Sequence, residues 1–153
     1  MRYFATTLAA LVMMAGQARA QGGGEAAVRA SVEGFLTRLG NHQFATLDAD
    51  FAPKAIIVVA RQRNGEWANT YQTADEWLVA LKRNPNPITF REPITNIVAT
   101  IDSDRIAHLR ADFQVVRDGH VVSSGVDQFT LVRESGGWKI AMVAYTSQPA
   151  KSE

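Results

Sequence analysis

The chain has 153 residues, 46% of them hydrophobic and 20% charged, with 16 basic against 15 acidic side chains and no cysteine. This globular composition excludes disulfides, thiolate nucleophiles, iron–sulfur clusters and cysteine-held zinc. A net charge of +1 leaves no surplus of Lys and Arg to displace phosphate counterions, which excludes nucleic acid as a partner.

Residues 1–20 read as a secretory signal peptide. Arg2 precedes an apolar stretch from Tyr3 through Ala15, and Ala18-Arg19-Ala20 is a small-x-small cleavage site. A membrane span needs about 20 apolar residues, and no other segment approaches that. The expectation is cleavage after Ala20 and a periplasmic or secreted mature protein without a membrane span. Removing Arg2 and Arg19 turns the net charge from +1 to −1. Residues 21–24 read as a flexible leader, 25–148 as one domain and 149–153 as a tail.

Apolar residues at Val28, Val32, Phe35, Leu36 and Leu39 make a one-faced helical stripe that stops at Gly40, a left-handed C-cap. Phe44, Leu47 and Phe51 keep the spacing of a shorter second helix, ended near Pro53. Ala55 to Arg61 is β-branched and strand-like. Asn64-Gly65 then signals a hairpin into a strand from Glu66 to Tyr71. Thr73-Ala74-Asp75-Glu76 is a capping box that opens a third helix, with Ala74, Trp77, Leu78 and Leu81 on its buried face. Beyond Asn84-Pro85-Asn86-Pro87 the period changes to two. Four long strands follow, about 88–101 with a bend at Pro93, 105–117, 120–133 and 138–147.

Helices grouped early and an antiparallel meander grouped late give an α+β fold. Strands this long must twist and coil over the helices they cover, which leaves a conical cavity.

The run Gly125-Val126-Asp127-Gln128-Phe129-Thr130-Leu131-Val132-Arg133, followed by Gly136-Gly137-Trp138-Lys139-Ile140, resembles the nuclear transport factor 2-like superfamily. Within it, the SnoaL-like and lumazine-binding-like small proteins are nearest. The resemblance covers residue 25 through Thr146. It implies a cone-shaped, cystatin-like fold with a strongly curved antiparallel sheet around N-terminal helices, a pocket at the open end, and a homodimer packed through the sheet. It implies no single activity, because the superfamily holds isomerases, dehydratases, cyclases, carriers and dimerisation modules. In the ketosteroid-isomerase branch the general-base Asp falls at Val59 of this chain. Members with histidines on the last strand place them near Met142 and Ala144. None of these three side chains takes a proton, so both catalytic patterns are missing.

Two readings of Asp127 stay open. Its same-face neighbours Gly125, Phe129 and Leu131 suit a carboxyl buried in the cone with a raised pKa; alternatively it pairs with an Arg or a backbone amide. Strand 105–117 separates into an inward face of Ala107, Leu109, Ala111, Phe113 and Val115 and an outward face of His108, Arg110, Asp112 and Gln114. With the register reversed, His108 and Asp112 become an acid–base pair. Trp67 and Tyr71 share a face near the opening, and Arg61 and Arg63 beside them are placed to attract an anion. His42 and His120 follow chain reversals and are expected in solvent. Histidines at 42, 108 and 120 match no metal spacing, and no phosphate loop, dinucleotide fingerprint or Gly-x-Ser-x-Gly occurs; no metal and no cofactor are expected.

The leading expectation is therefore an exported domain whose cone binds a small, largely apolar molecule without turning it over. Its walls come from Phe35, Trp67, Trp77, Leu109 and Phe113, its polar contacts from Tyr71 and Asp127, and its lining carries few ionisable groups. The alternatives are a lyase or isomerase on a polyketide-like or steroid-like substrate, with Asp127 or His108 moving a proton, and an interaction module whose cone is filled by its own side chains.

Overall fold

A computed structural model describes residues 9–83 and 88–150, with side chains from residue 24 onward. Helix α1 (Ala9–Gly40) is followed by a single 3-10 turn (Leu47–Asp50), the hairpin β1 (Phe51–Arg63) and β2 (Glu66–Thr73), and helix α2 (Ala74–Arg83). Strands β3 (Ile94–Asp102), β4 (Ile106–Arg117), β5 (His120–Glu134) and β6 (Gly137–Pro149) complete the chain. The α+β cone expected from the pattern is the observed fold. One six-stranded sheet runs in the order β2-β1-β6-β5-β4-β3, with both helices on its concave side.

One ladder is not antiparallel. Strand β1 lies parallel to β6, with Ile57 opposite Val143 and Val59 opposite Tyr145, so the N-terminal hairpin extends the C-terminal meander into a continuous sheet. Cross-strand partners share a face. A concave row therefore runs Ile57, Val143, Phe129, Leu109, and the next runs Val59, Tyr145, Asp127, Ala111. The first row is roofed by the α1 stripe. Val28, Val32, Phe35 and Leu36 are buried with Leu109, Phe129, Leu131, Ile140 and Val143 in one cluster, and each such side chain contributes about 1.5–3 kcal/mol of transfer free energy.

Helix α2 begins as its capping box dictates. The Thr73 amide donates to the Glu76 carboxylate (2.8 Å), and the Glu76 amide donates to the Thr73 hydroxyl oxygen (3.2 Å). The bonds that the Thr73 amide and hydroxyl (2.9 Å) donate to its ionised form hold the Glu76 carboxyl below the usual range.

Four sequence expectations need correction. The helix expected around Phe44–Phe51 is only the turn Leu47–Asp50, because the stretch between the left-handed His42 (φ 58) and Pro53 is too short to propagate helix. Arg38 clasps Asp50, and Lys139 Nζ donates to the Ala49 carbonyl (2.6 Å), tying that turn to α1 and β6. The left-handed residue after α1 is His42, not Gly40. Gly40 is required for a different reason: a Cβ there would stand 2.3 Å from the Phe90 carbonyl oxygen, and the Phe90 amide donates to Gly40 O (3.1 Å). The strand expected from 88 starts only at Ile94. Before it, Arg91 and Val116 exchange a pair of backbone bonds (2.9 and 2.8 Å), while Pro93 has no amide to offer the ladder. Finally, Gly22–Gly24, expected as a leader, lie inside α1. Residues 1–8 of the expected export signal lie outside the described residues.

Gly125 marks the tightest approach in the sheet. A Cβ at this position would meet the Thr146 carbonyl oxygen at 1.9 Å and the Phe113 ring at 2.8 Å. Gly125→Ala is expected to lower stability by about 1–3 kcal/mol through overpacking, read as a lower urea midpoint with an unchanged slope; a wild-type midpoint would disprove that close approach.

Candidate functional site

The α1 stripe and α2 cover only part of the concave face. Where they stop, a cavity of about 560 Å³ remains open, a size that accommodates a drug-sized molecule. Phe35, Trp77, Phe113, Phe129 and Val143 form apolar walls, and Phe35 packs at 6.2 Å from both the Trp77 and Phe129 rings.

Asp127 lines this space and is 3% exposed. It faces the cavity because it belongs to the concave row between Tyr145 and Ala111. Of its two open readings the structure shows the buried placement: among the described residues Oδ2 has no hydrogen-bond donor and no ion pair reaches the carboxyl. Its electrostatic neighbour is Glu92, which lines the same space. Glu92 reaches the same point from the lead-in to β3, held by the Arg91–Val116 bridge on one side and by the Gln114 amide donating to Pro93 O (3.3 Å) on the other.

Two adjoining carboxyls beside apolar walls resist ionising together, and each favours its protonated form more than a free carboxyl does. Burial pushes Glu92 up to about 8, helped by the charge and hydrogen bond of Asp127. Burial likewise pushes Asp127 up to about 7, against the hydrogen bond from Glu92, which favours its ionised form. Tyr145 stands beside the pair, its hydroxyl 3.5 Å from Arg61 Nη2. Burial raises its pKa, opposed by the Arg61 charge and reinforced by the two carboxyls. The arrangement presents a proton donor, a proton acceptor and a phenol to whatever occupies the cavity, with pKa values suited to exchange near neutrality.

Of the residues singled out from the sequence, Phe35, Trp77, Phe113 and Asp127 line the cavity. Leu109 is 1% exposed beneath the α1 stripe, in the core and not in the lining. Trp67 and Tyr71 are placed elsewhere: odd residues of β2 share the convex face with even residues of β1 (Tyr71 opposite Val58), and both side chains are exposed, at 52% and 71%. His108 is also on the convex face, its Nδ1 3.3 Å from the Thr130 hydroxyl. Asp112 is held there by Asn96 (2.8 Å) and Arg110 (3.1 Å), so the reversed register and its acid–base pair do not occur. Val59, where a general base would stand, is buried in an apolar cluster with Ala55 and Ile57. Among the described residues no group of acidic and imidazole side chains could hold a metal.

The sequence reading missed Glu92, Tyr145 and Arg117, all lining residues, and placed His42 in solvent, whereas its ring stacks on Phe44 (5.1 Å) beside the cavity. The expectation of few ionisable groups is corrected accordingly: Arg61, Arg63, Arg117, Glu92 and Asp127 all face the space. A signal for Glu92 was present. Ile88, Phe90, Glu92 and Ile94 form a period-two apolar series with one carboxyl in it.

Residues 23–144 match the family model described as the SnoaL-like domain. The chain belongs to the SnoaL-like domain family. None of the curated proteins matches this SnoaL-like chain. Among solved structures, it is similar to a nuclear transport factor 2-like protein with a cystatin-like fold from Novosphingobium aromaticivorans (12% identity, 92% of this chain and 91% of that one, TM-score 0.67). It is also similar to the β subunit of a candidate aromatic-ring-hydroxylating dioxygenase (15%, 84% and 92%, 0.66) and to a candidate scytalone dehydratase (14%, 83% and 87%, 0.63), both from the same organism. At these identities the likeness is one of fold.

A folded state that holds these two protons more tightly than the unfolded chain gains stability below the ordinary carboxyl values of 4.5 and 3.8 and loses it as pH rises toward 8. Unfolding by urea between pH 5 and 8 is expected to show stability falling with pH, and Glu92→Gln to flatten that slope and to be the more stable form at pH 8 by on the order of 1 kcal/mol or more. A slope unchanged in Glu92→Gln would exclude the raised carboxyl values.

Proposed function

We propose that this SnoaL-like chain binds a small, largely apolar, oxygen-bearing molecule in its cone, with the Glu92–Asp127 pair as the polar anchor. The observation that carries the reading is the pair itself: two adjoining carboxyls, one with an oxygen that lacks a partner, facing an open cavity with aromatic and aliphatic walls. Burying such a group costs free energy unless a partner satisfies it, and a ligand hydroxyl or carbonyl does so. The open cavity speaks against an interaction module with a self-filled interior. The export signal read from residues 1–20 belongs to the same proposal and puts the binding event in the periplasm or outside the cell.

A second reading has its own support. The raised carboxyl pKa values, with the Tyr145 hydroxyl alongside, suit cofactor-independent proton transfer of the isomerase or lyase type: one carboxyl removes a proton next to a carbonyl while the protonated partner or Tyr145 donates to its oxygen. The scytalone dehydratase name carried by one fold relative is in keeping with it.

Calorimetric titration with naphthol is expected to show one site per chain, weakened at least tenfold in Asp127→Ala and lost when Val115→Trp fills the cavity; no binding to folded wild type would reject the proposal. Proton–deuterium exchange next to the carbonyl of tetralone, followed by NMR, separates the readings. Catalysed exchange that disappears in Asp127→Asn supports proton transfer, and exchange at the buffer rate rejects it.

We further propose a second copy of the chain against the convex sheet face, where Ile56, Tyr71, Val98 and Met142 stand exposed. Sedimentation velocity is expected to show a dimer that Met142→Glu dissociates, and a wild-type monomer would remove this part of the proposal.

A further inference from the structure

The cavity lining carries charge of both signs. Beside the carboxyl pair it holds three guanidinium groups, Arg61 and Arg63 from β1 and Arg117 from the end of β4. Arg29, Arg38, Arg110 and Arg133 each have a carboxylate within ion-pair distance. Arg61, Arg63 and Arg117 have none among the described residues.

Arg117 is built in rather than loosely exposed. Its guanidinium lies over the Phe90 ring, 6.0 Å from the centroid, a cation–π contact. Its Nε is shut off from solvent and donates to no acceptor. A charged donor in that state is rare in a folded protein and calls for a partner. Arg61 reaches inward instead, its Nη2 3.5 Å from the Tyr145 hydroxyl, and so links the basic side of the cavity to the phenol beside the carboxyls.

We infer that Arg61, Arg63 and Arg117 form an anion subsite, and that the molecule taken by the cone is an amphipathic organic acid, its carboxylate on the arginines and its apolar body against Phe35, Trp77 and Phe113. The inference rests on the proposed binding role of the cavity and adds the substrate class. Planar guanidinium groups match a carboxylate with two parallel bonds, whereas the carboxyl pair repels the same anion. The two kinds of group therefore set one orientation: charge toward the arginines, and any hydroxyl or carbonyl on the body toward Glu92 and Asp127.

The test uses pyrenebutyrate and its uncharged methyl ester, which share one apolar body, titrated into the full chain by pyrene fluorescence. Wild type is expected to bind the acid at least tenfold more tightly than the ester, with the preference shrinking as salt is raised. Arg61→Gln combined with Arg117→Met, which keeps the aliphatic stems, is expected to bring the two compounds to parity while leaving ester affinity within twofold. Equal affinity of acid and ester in wild type overturns the anion subsite but leaves the cavity reading intact. A preference for the acid that survives the double substitution overturns the assignment of these arginines. Failure of both compounds to bind folded wild type overturns the cavity reading and this inference with it.

Discussion

The constraint on which the molecule depends is the mismatch between a long curved sheet and the short helical surface that covers it. Strands of 12 to 15 residues present more concave area than the stripe Val28–Leu36 and the single face of α2 can reach. Where the helices do reach, side chains such as Leu109, Leu131 and Ile140 are almost wholly buried and supply the cohesion of the fold. Beyond them the same strands continue with the same alternation, and the inward positions face open space.

That continuation explains why polar groups are tolerated there. Asp127 follows the periodicity that buries Phe129 and Leu131, so the strand forces it inward whatever its chemistry. Glu92 is inward for a related reason, being one step in the series Ile88, Phe90, Ile94. Among the described residues neither carboxyl has a basic counterpart within ion-pair distance, and burial favours the protonated form of each. Free energy held in such a couple is available to a ligand that satisfies it, which ties the cavity's stability cost to its capacity for recognition.

Local patterns in the sequence carried most of the architecture: the Thr73–Glu76 box, the Asn64-Gly65 turn and the clean alternation of residues 106–117 lie where the pattern puts them. Spacing alone could not separate one 3-10 turn from a helix over Phe44–Phe51, since both satisfy three-to-four periodicity. The site was only half legible. Asp127 is conspicuous as a charge within an apolar series, but Glu92 comes within reach of it only through the Arg91–Val116 bridge, a pairing of residues far apart in the chain. Trp67 and Tyr71 were misplaced because their facing depends on how β2 registers against β1, and composition does not encode that. Tyr145 and Arg117 sit near strand ends, where a side chain's role depends on what the helices leave uncovered.

The lead-in to β3 has the largest reach beyond its size. It is fastened by Phe90 N to Gly40 O and by the reciprocal Arg91–Val116 bonds, and it bears one member of the carboxyl couple on the outermost strand of the sheet. Edge strands are the first to fray. Opening of this edge would carry Glu92 away from Asp127, so the carboxyl pair exists only while the lead-in stays fastened to α1 and β4.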